Sequence, residues 1–225
     1  MKSGLIFRCS NCDAQSPKWS GRCFDCGRWG TIVEAVSEEK KADAPSAAPA
    51  TTRAAKDVSD RPLARQKTGS AELDRVLGGG LVPGSLILLA GEPGIGKSTL
   101  VLALAERTDG AVLYVCGEES PEQIALRMRR MNCVGARLSF LADTDVDVIA
   151  ATARAAHPAL LIVDSVQSLR APGTGTEPGG IGEMRAAIAR LAELAKKDNI
   201  TTLVIGQVTK DGGVAGPKTL EHLVD

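Results

Sequence analysis

The chain has 225 residues, enough for one full-sized core and a small appendage, and its 27 basic and 27 acidic side chains cancel. Balanced charge excludes a global field that would draw in nucleic acid, so any such partner must be met by a local patch. Aromatic residues are only 3% of the chain, which suits a parallel α/β sheet better than a β-sandwich, and no stretch approaches the roughly 18 unbroken apolar residues of a membrane span.

The N-terminal "MKSGLIFRCS" holds an apolar run too short for a signal-peptide core and lacks a small-residue cleavage site. A cytoplasmic protein without a membrane partner is expected. In that compartment six cysteines are metal ligands or core residues before they are disulfides. "CSNC" and "CFDC" place Cys9, Cys12, Cys23 and Cys26 in a C-x2-C-x10-C-x2-C pattern. Four thiolates at this spacing close a tetrahedral site suited to Zn²⁺ or, less often, to iron. With no open position, the site is expected to be structural. Residues 1–33 cannot fold on a core of that size alone, and the metal would supply the missing free energy. Lys18, Trp19, Arg22, Arg28 and Trp29 decorate the knuckles. Packing against the small core is their expected role, with stacking on a base or meeting a protein as alternatives. Cys116 and Cys133 read as small core residues.

Residues 34–60 are Ala, Pro, Ser and mixed charge with almost no large apolar side chain, so they read as a flexible linker. From residue 61 to 225, apolar runs alternate with helical patterns in a βαβ succession. Strands are predicted at 85–90, 111–116, 138–141, 159–165 and 201–208. Helices are predicted at 97–107, with Leu100, Val101 and Leu104 on one face, at 121–131, at 146–156 and at 181–197. Near-continuous apolar strands imply a sheet covered on both faces.

"GEPGIGKST" (Gly91, Glu92, Pro93, Gly94, Ile95, Gly96, Lys97, Ser98, Thr99) fits G-x-x-x-x-G-K-[ST] between a strand and a helix. Its glycines let backbone N–H groups turn toward phosphates, and the helix N-terminus adds its dipole. Lys97 would reach the β- and γ-phosphates of ATP, Ser98 would ligate Mg²⁺, and Thr99 backs the loop. Asp164 ends the apolar run "LLIVD"; such a residue can be a turn or cap, but beside this loop it reads as the second Mg²⁺ carboxylate. "GEES" carries Glu118 and Glu119 just ahead of a helix. They can be decoration, a helix-start signal or the base that aims water at the γ-phosphate. Ser120 and Gln123 already supply a capping box, which frees Glu118, the favoured member of the pair, for the catalytic role. Gln207 at a later strand end can sense the γ-phosphate, or simply satisfy backbone. Arg127, Arg129, Arg130 and Arg137 read as a solvated helix face or a subunit contact.

The set "CSNCDAQSPKWSGRCFDCGRWGT", "TGSAELDRVLGGGLVPGSLILLAGEPGIGKSTL", "YVCGEES" and "LLIVDS" resembles the RadA (Sms) family of bacterial DNA repair proteins, which pairs a four-cysteine ribbon with a RecA-like P-loop ATPase core. The resemblance implies a DNA-dependent ATPase in recombinational repair. It implies branch migration on single-stranded or branched DNA, work alongside the RecA recombinase, and assembly as a homo-hexamer. Carried over by position, the nucleotide loop is Gly91 to Ser98, the zinc ligands Cys9, Cys12, Cys23 and Cys26, the magnesium aspartate Asp164, and the catalytic glutamate Glu118. Residues 171–185 sit where RecA-like motors place a DNA-contacting loop, flanked by Arg170 and Arg185; a plain surface loop is the alternative. The family's later Lys-Asn-Arg-Phe-Gly motif does not occur, so the chain is expected to be a fragment. That leaves an ATP- and zinc-binding module with little turnover, or an ATP-gated oligomerisation switch, as alternative functions.

Overall fold

The computed structural model describes residues 5–11, 14–36, 52, 54–55, 64–174, 179–207, 220 and 222–225. It divides into two compact units, Met1–Leu63 and Ala64–Asp225.

In the first unit three antiparallel strands, β1 (Leu5–Cys9), β2 (Gln15–Ser16) and β3 (Ile32–Val36), lie in the order β2-β1-β3. Its interior is Cys9, Cys23 and Ile32, with Phe7, Ala14 and Cys26 against them. So small a core needs another source of stability. β3 pairs with β1 as far as Val36, beyond the boundary expected at residue 33. Ladder hydrogen bonds use backbone groups and do not require the apolar side chains whose loss marks Glu34. Trp19 and Trp29 are 63% and 76% exposed, which corrects the expectation that they pack on the core. Sulfur atoms occupy that centre, and the two indoles lie instead over Gly21, where an added Cβ would meet Trp29 at 3.6 Å and Trp19 at 3.9 Å.

The second unit is a five-stranded sheet of β4 (Leu86–Gly91), β5 (Val112–Cys116), β6 (Leu138–Leu141), β7 (Leu160–Asp164) and β8 (Thr202–Gln207), ordered β4-β8-β7-β5-β6. Every pairing is parallel. Successive side chains of a strand face opposite sides, and this splits the interior in two. Leu113, Val115, Leu161, Val163 and Val204 pack with α4 (Val146–Ala156) and α5 (Ile181–Asp198). Val112, Tyr114, Cys116, Leu160, Ile162, Leu203 and Ile205 pack with α2 (Lys97–Arg107) and α3 (Pro121–Arg130). Burial on both faces is why the strands read as unbroken apolar runs.

The predicted elements fall within a residue or two of those observed. α1 (Ala71–Val76), capped by Ser70 accepting from the Leu73 N–H, was not among them; its six residues are too short for periodicity to show. In α2 the buried residues are Val101, Leu102, Leu104 and Ala105, while Leu100 is 40% exposed. The contact face is thus rotated by one residue from the one predicted. Among the described residues no helix is long and apolar enough to cross a membrane.

Candidate active site

β4, β8, β7 and β5 are neighbours and run in one direction, so their C-terminal ends meet at one edge of the sheet. In register, Gly91 lies opposite Gln207 and Cys116 opposite Asp164. Open α/β sheets bind ligands in the crevice beyond this edge. A cavity of about 330 Å³ opens here, lined by Gly94, Gly96, Lys97, Ser98 and Thr99 from the loop and α2, and by Glu118, Asp164 and Gln207 from the other strand ends. Residues separated by more than a hundred positions therefore share one space.

The loop from β4 into α2 owes its shape to glycine at two positions. Gly94 and Gly96 have φ of 80° and 103°, a region that costs an ordinary residue about 1–2 kcal/mol. A Cβ added at either would meet nothing within 4 Å beyond its chain neighbours, so backbone conformation, not space, sets the requirement. Gly96 is the N-cap of α2, leaving first-turn N–H groups and the positive end of the helix dipole to meet an anion. The Lys97 ammonium donates to the carbonyls of Gly91 and Glu92 at 2.9 and 2.8 Å. Pro93 lines the cavity, whereas Glu92 and Ile95 do not; Ile95 is 70% exposed.

Asp164 is oriented from below by a residue that the sequence did not single out. The hydroxyl of Tyr114 donates to Asp164 Oδ2 at 2.6 Å. Tyr114 is fully buried. Burial first, and then the adjacent Asp164 charge, hold its pKa far above the ordinary phenol value, so the hydroxyl remains a donor. Cys116 is likewise pushed up to about 11 by burial and by Asp164. Its thiol stays neutral and serves as core, not as nucleophile. Ser98 and Asp164 both line the cavity, and a hydroxyl and a carboxylate are the hard oxygen donors that Mg²⁺ takes.

Glu118 and Glu119 have different partners. Glu118 Oε1 accepts from the Ser165 hydroxyl and, at 3.3 Å, from the Gln207 side-chain amide. Glu119 is ion-paired with Arg127 of α3. The helix is capped without either glutamate, because Ser120 and Gln123 form the capping box reciprocally. Gly117 keeps the β5 and β7 ends close. Its N–H donates to the Asp164 carbonyl at 2.8 Å, and an added Cβ would sit 2.9 Å from that carbonyl and 1.9 Å from the Ser168 hydroxyl.

Arg127 lines the cavity and its side chain is only 24% exposed, a correction to its reading as part of a solvated helix face. Arg129 and Arg130 are exposed, and Arg137 meets Asp109 at 3.4 Å. The signal was present: Arg127 lies about two turns above Ser120, on the side of α3 facing the preceding Glu119. Tyr114 had no such signal, since a buried tyrosine on a strand reads as core.

In the first unit the sulfurs of Cys9, Cys23 and Cys26 lie within 4.8 Å of one another, while Cys12 is outside the described residues. Cys9 Sγ and Cys26 Sγ are 3.7 Å apart. Two thiolates each about 2.3 Å from one tetrahedral Zn²⁺ would be separated by about 3.8 Å, so the residues present fit the metal.

Comparison with known proteins places this geometry. Residues 51–213 match the family described as AAA domain. The chain belongs to the AAA domain family. Residues 7–34 match the rubredoxin metal binding domain. This AAA-family chain is 42% identical over 236 residues to a DNA repair protein RadA of Pseudomonas aeruginosa, covering 100% of the chain and 51% of that protein. It is 43% identical over 229 residues to the protein of that name from Streptococcus pyogenes, covering 100% of the chain and 51% of the relative. For the one from Mycobacterium tuberculosis the figures are 43% over 231 residues, 97% and 47%. The chain therefore spans about half the length of the curated relatives it matches.

Proposed function

We propose that the cleft binds ATP with Mg²⁺ and hydrolyses it, as the motor of a DNA-dependent repair ATPase of RecA-like type. The observation that carries this reading is the convergence of Lys97, Asp164 and Glu118, from three different strand ends, on one cavity. Lys97 exchanges its loop carbonyls for the β- and γ-phosphate oxygens, and the N-terminus of α2 receives the remaining charge. Ser98 and Asp164 would hold Mg²⁺, which neutralises charge on the phosphates. Glu118, fixed by Ser165 and Gln207, orients the attacking water and accepts its proton as the oxygen bonds to the γ-phosphorus and the bond to the bridging oxygen breaks. Gln207 senses the γ-phosphate through its contact with Glu118.

For the whole protein we propose single-stranded or branched DNA as substrate, branch migration beside a RecA-class recombinase, and a ring of six copies. The relatives' name, DNA repair protein, and their similarity along nearly the whole chain support this. The test is ATP turnover with and without single-stranded DNA in the parent chain, Lys97→Ala and Glu118→Gln. Lys97→Ala should lose nucleotide affinity. Glu118→Gln should keep it and lose turnover by about 10²-fold or more. Undiminished turnover in Glu118→Gln would return that residue to a helix-start role. Turnover indifferent to DNA would reduce the reading to an ATP-hydrolysing module.

A further inference from the structure

Three carboxylates border the phosphate cleft, those of Glu118, Glu119 and Asp164, and the two adjacent glutamates have partners of different charge. Glu118 is held by neutral donors, the Ser165 hydroxyl and the Gln207 amide. Glu119 is paired with the Arg127 guanidinium. Both members of the pair are more than half covered, with side chains 37% and 24% exposed, so solvent screens them less than a surface pair. Both also line the cavity, together with Lys97 and Ser98. A triphosphate entering there meets Glu119 as a like charge unless something cancels it.

We propose that Arg127 is a positioning residue of the phosphate site: it neutralises Glu119 and ties the turn after β5 to α3, leaving Glu118 the one carboxylate that acts on water. This rests on the reading of the cleft as an ATP site. Arg127 works through Glu119, and its signature is a pair of opposite-signed effects. Removing the cation exposes an unbalanced carboxylate to the phosphates. Removing the carboxylate leaves an unbalanced cation facing them. Removing both restores neutrality.

The experiment is a double-mutant cycle on the full 225-residue chain, with Arg127→Gln, Glu119→Gln and the double variant. It reads equilibrium binding of a fluorescent ATP analogue with Mg²⁺, steady-state turnover, and the urea midpoint of each form. Arg127→Gln should weaken binding roughly tenfold, with a defect that shrinks as salt rises. Glu119→Gln should tighten it a few-fold, and the double variant should return to within about threefold of the parent. A double variant as weak as Arg127→Gln would overturn the proposal and make Arg127 a direct phosphate ligand. Equal affinity in all four forms would overturn it by making the pair decorative. Loss of binding that tracks a lowered urea midpoint would overturn it in favour of a purely structural role. Lys97→Ala is the control for the underlying reading: if it too binds nucleotide normally, the ATP site itself is misassigned, whatever Arg127 does.

Discussion

The buried Tyr114 hydroxyl reaches Asp164 Oδ2 at 2.6 Å from the neighbouring strand, under the floor of the cleft. Tyr114 is the chain's one tyrosine, and its ring also packs edge-on against Phe140 with centroids 6.0 Å apart. Tyr114→Phe keeps the ring and removes the donor. The expected cost is about 1.5–3 kcal/mol, typical of a hydrogen bond to a charged group. The larger effect should be functional: with Asp164 no longer oriented, the Mg²⁺ concentration giving half-maximal turnover should rise several-fold. A magnesium titration unchanged by Tyr114→Phe would show that Asp164 is positioned by its strand alone.

Glu183 gives a pH dependence of defined sign. Oε1 accepts from Arg170 Nε at 3.1 Å and from the Ala171 N–H at 3.0 Å, and Oε2 accepts from the Gly179 N–H at 2.6 Å. This one carboxylate in the first turn of α5 thus binds both ends of the segment entering that helix. Burial works to raise its pKa, but the Gly179 and Ala171 N–H groups and Arg170 outweigh it and leave the value lowered. A depressed carboxylate contributes stability that is present above its unfolded value, about 4.3, and lost as pH falls through the folded value. Glu183→Gln should therefore lower the urea midpoint at pH 7, and the gap to the parent should narrow progressively as pH falls below about 4.3. A gap independent of pH would assign the loss to packing.

Metal removal should separate the two units. With cysteine sulfurs at the centre of the first unit and few apolar side chains around them among the described residues, chelation should unfold this unit and leave the sheet of the second intact. The two tryptophans of the chain, Trp19 and Trp29, both lie in the first unit. Tryptophan anisotropy should therefore fall on chelation, while the thermal transition of the second unit stays in place. Loss of both signals together would mean that the units fold cooperatively.

By itself the sequence determined what near neighbours decide. The period of apolar residues located the strands and most helices. Ser120 and Gln123 announced the start of α3. The spacing of Gly91, Gly96 and Lys97 marked a phosphate loop, because that chemistry is carried by consecutive backbone groups. Cysteine spacing marked the metal knuckles for the same reason. Tertiary structure alone decided which side chains meet across strands. Placing β7 beside both β5 and β8 brings Ser165 and Gln207 to Glu118, and Tyr114 under Asp164. The return of α3 over the β5 turn turns Glu119 toward Arg127. Two adjacent glutamates share one local sequence and one helix-start signal. The partner of Glu119 lies 8 residues on, within reach of the helical period of α3, whereas the Ser165 hydroxyl that meets Glu118 lies 47 residues away, a distance at which no local pattern is written.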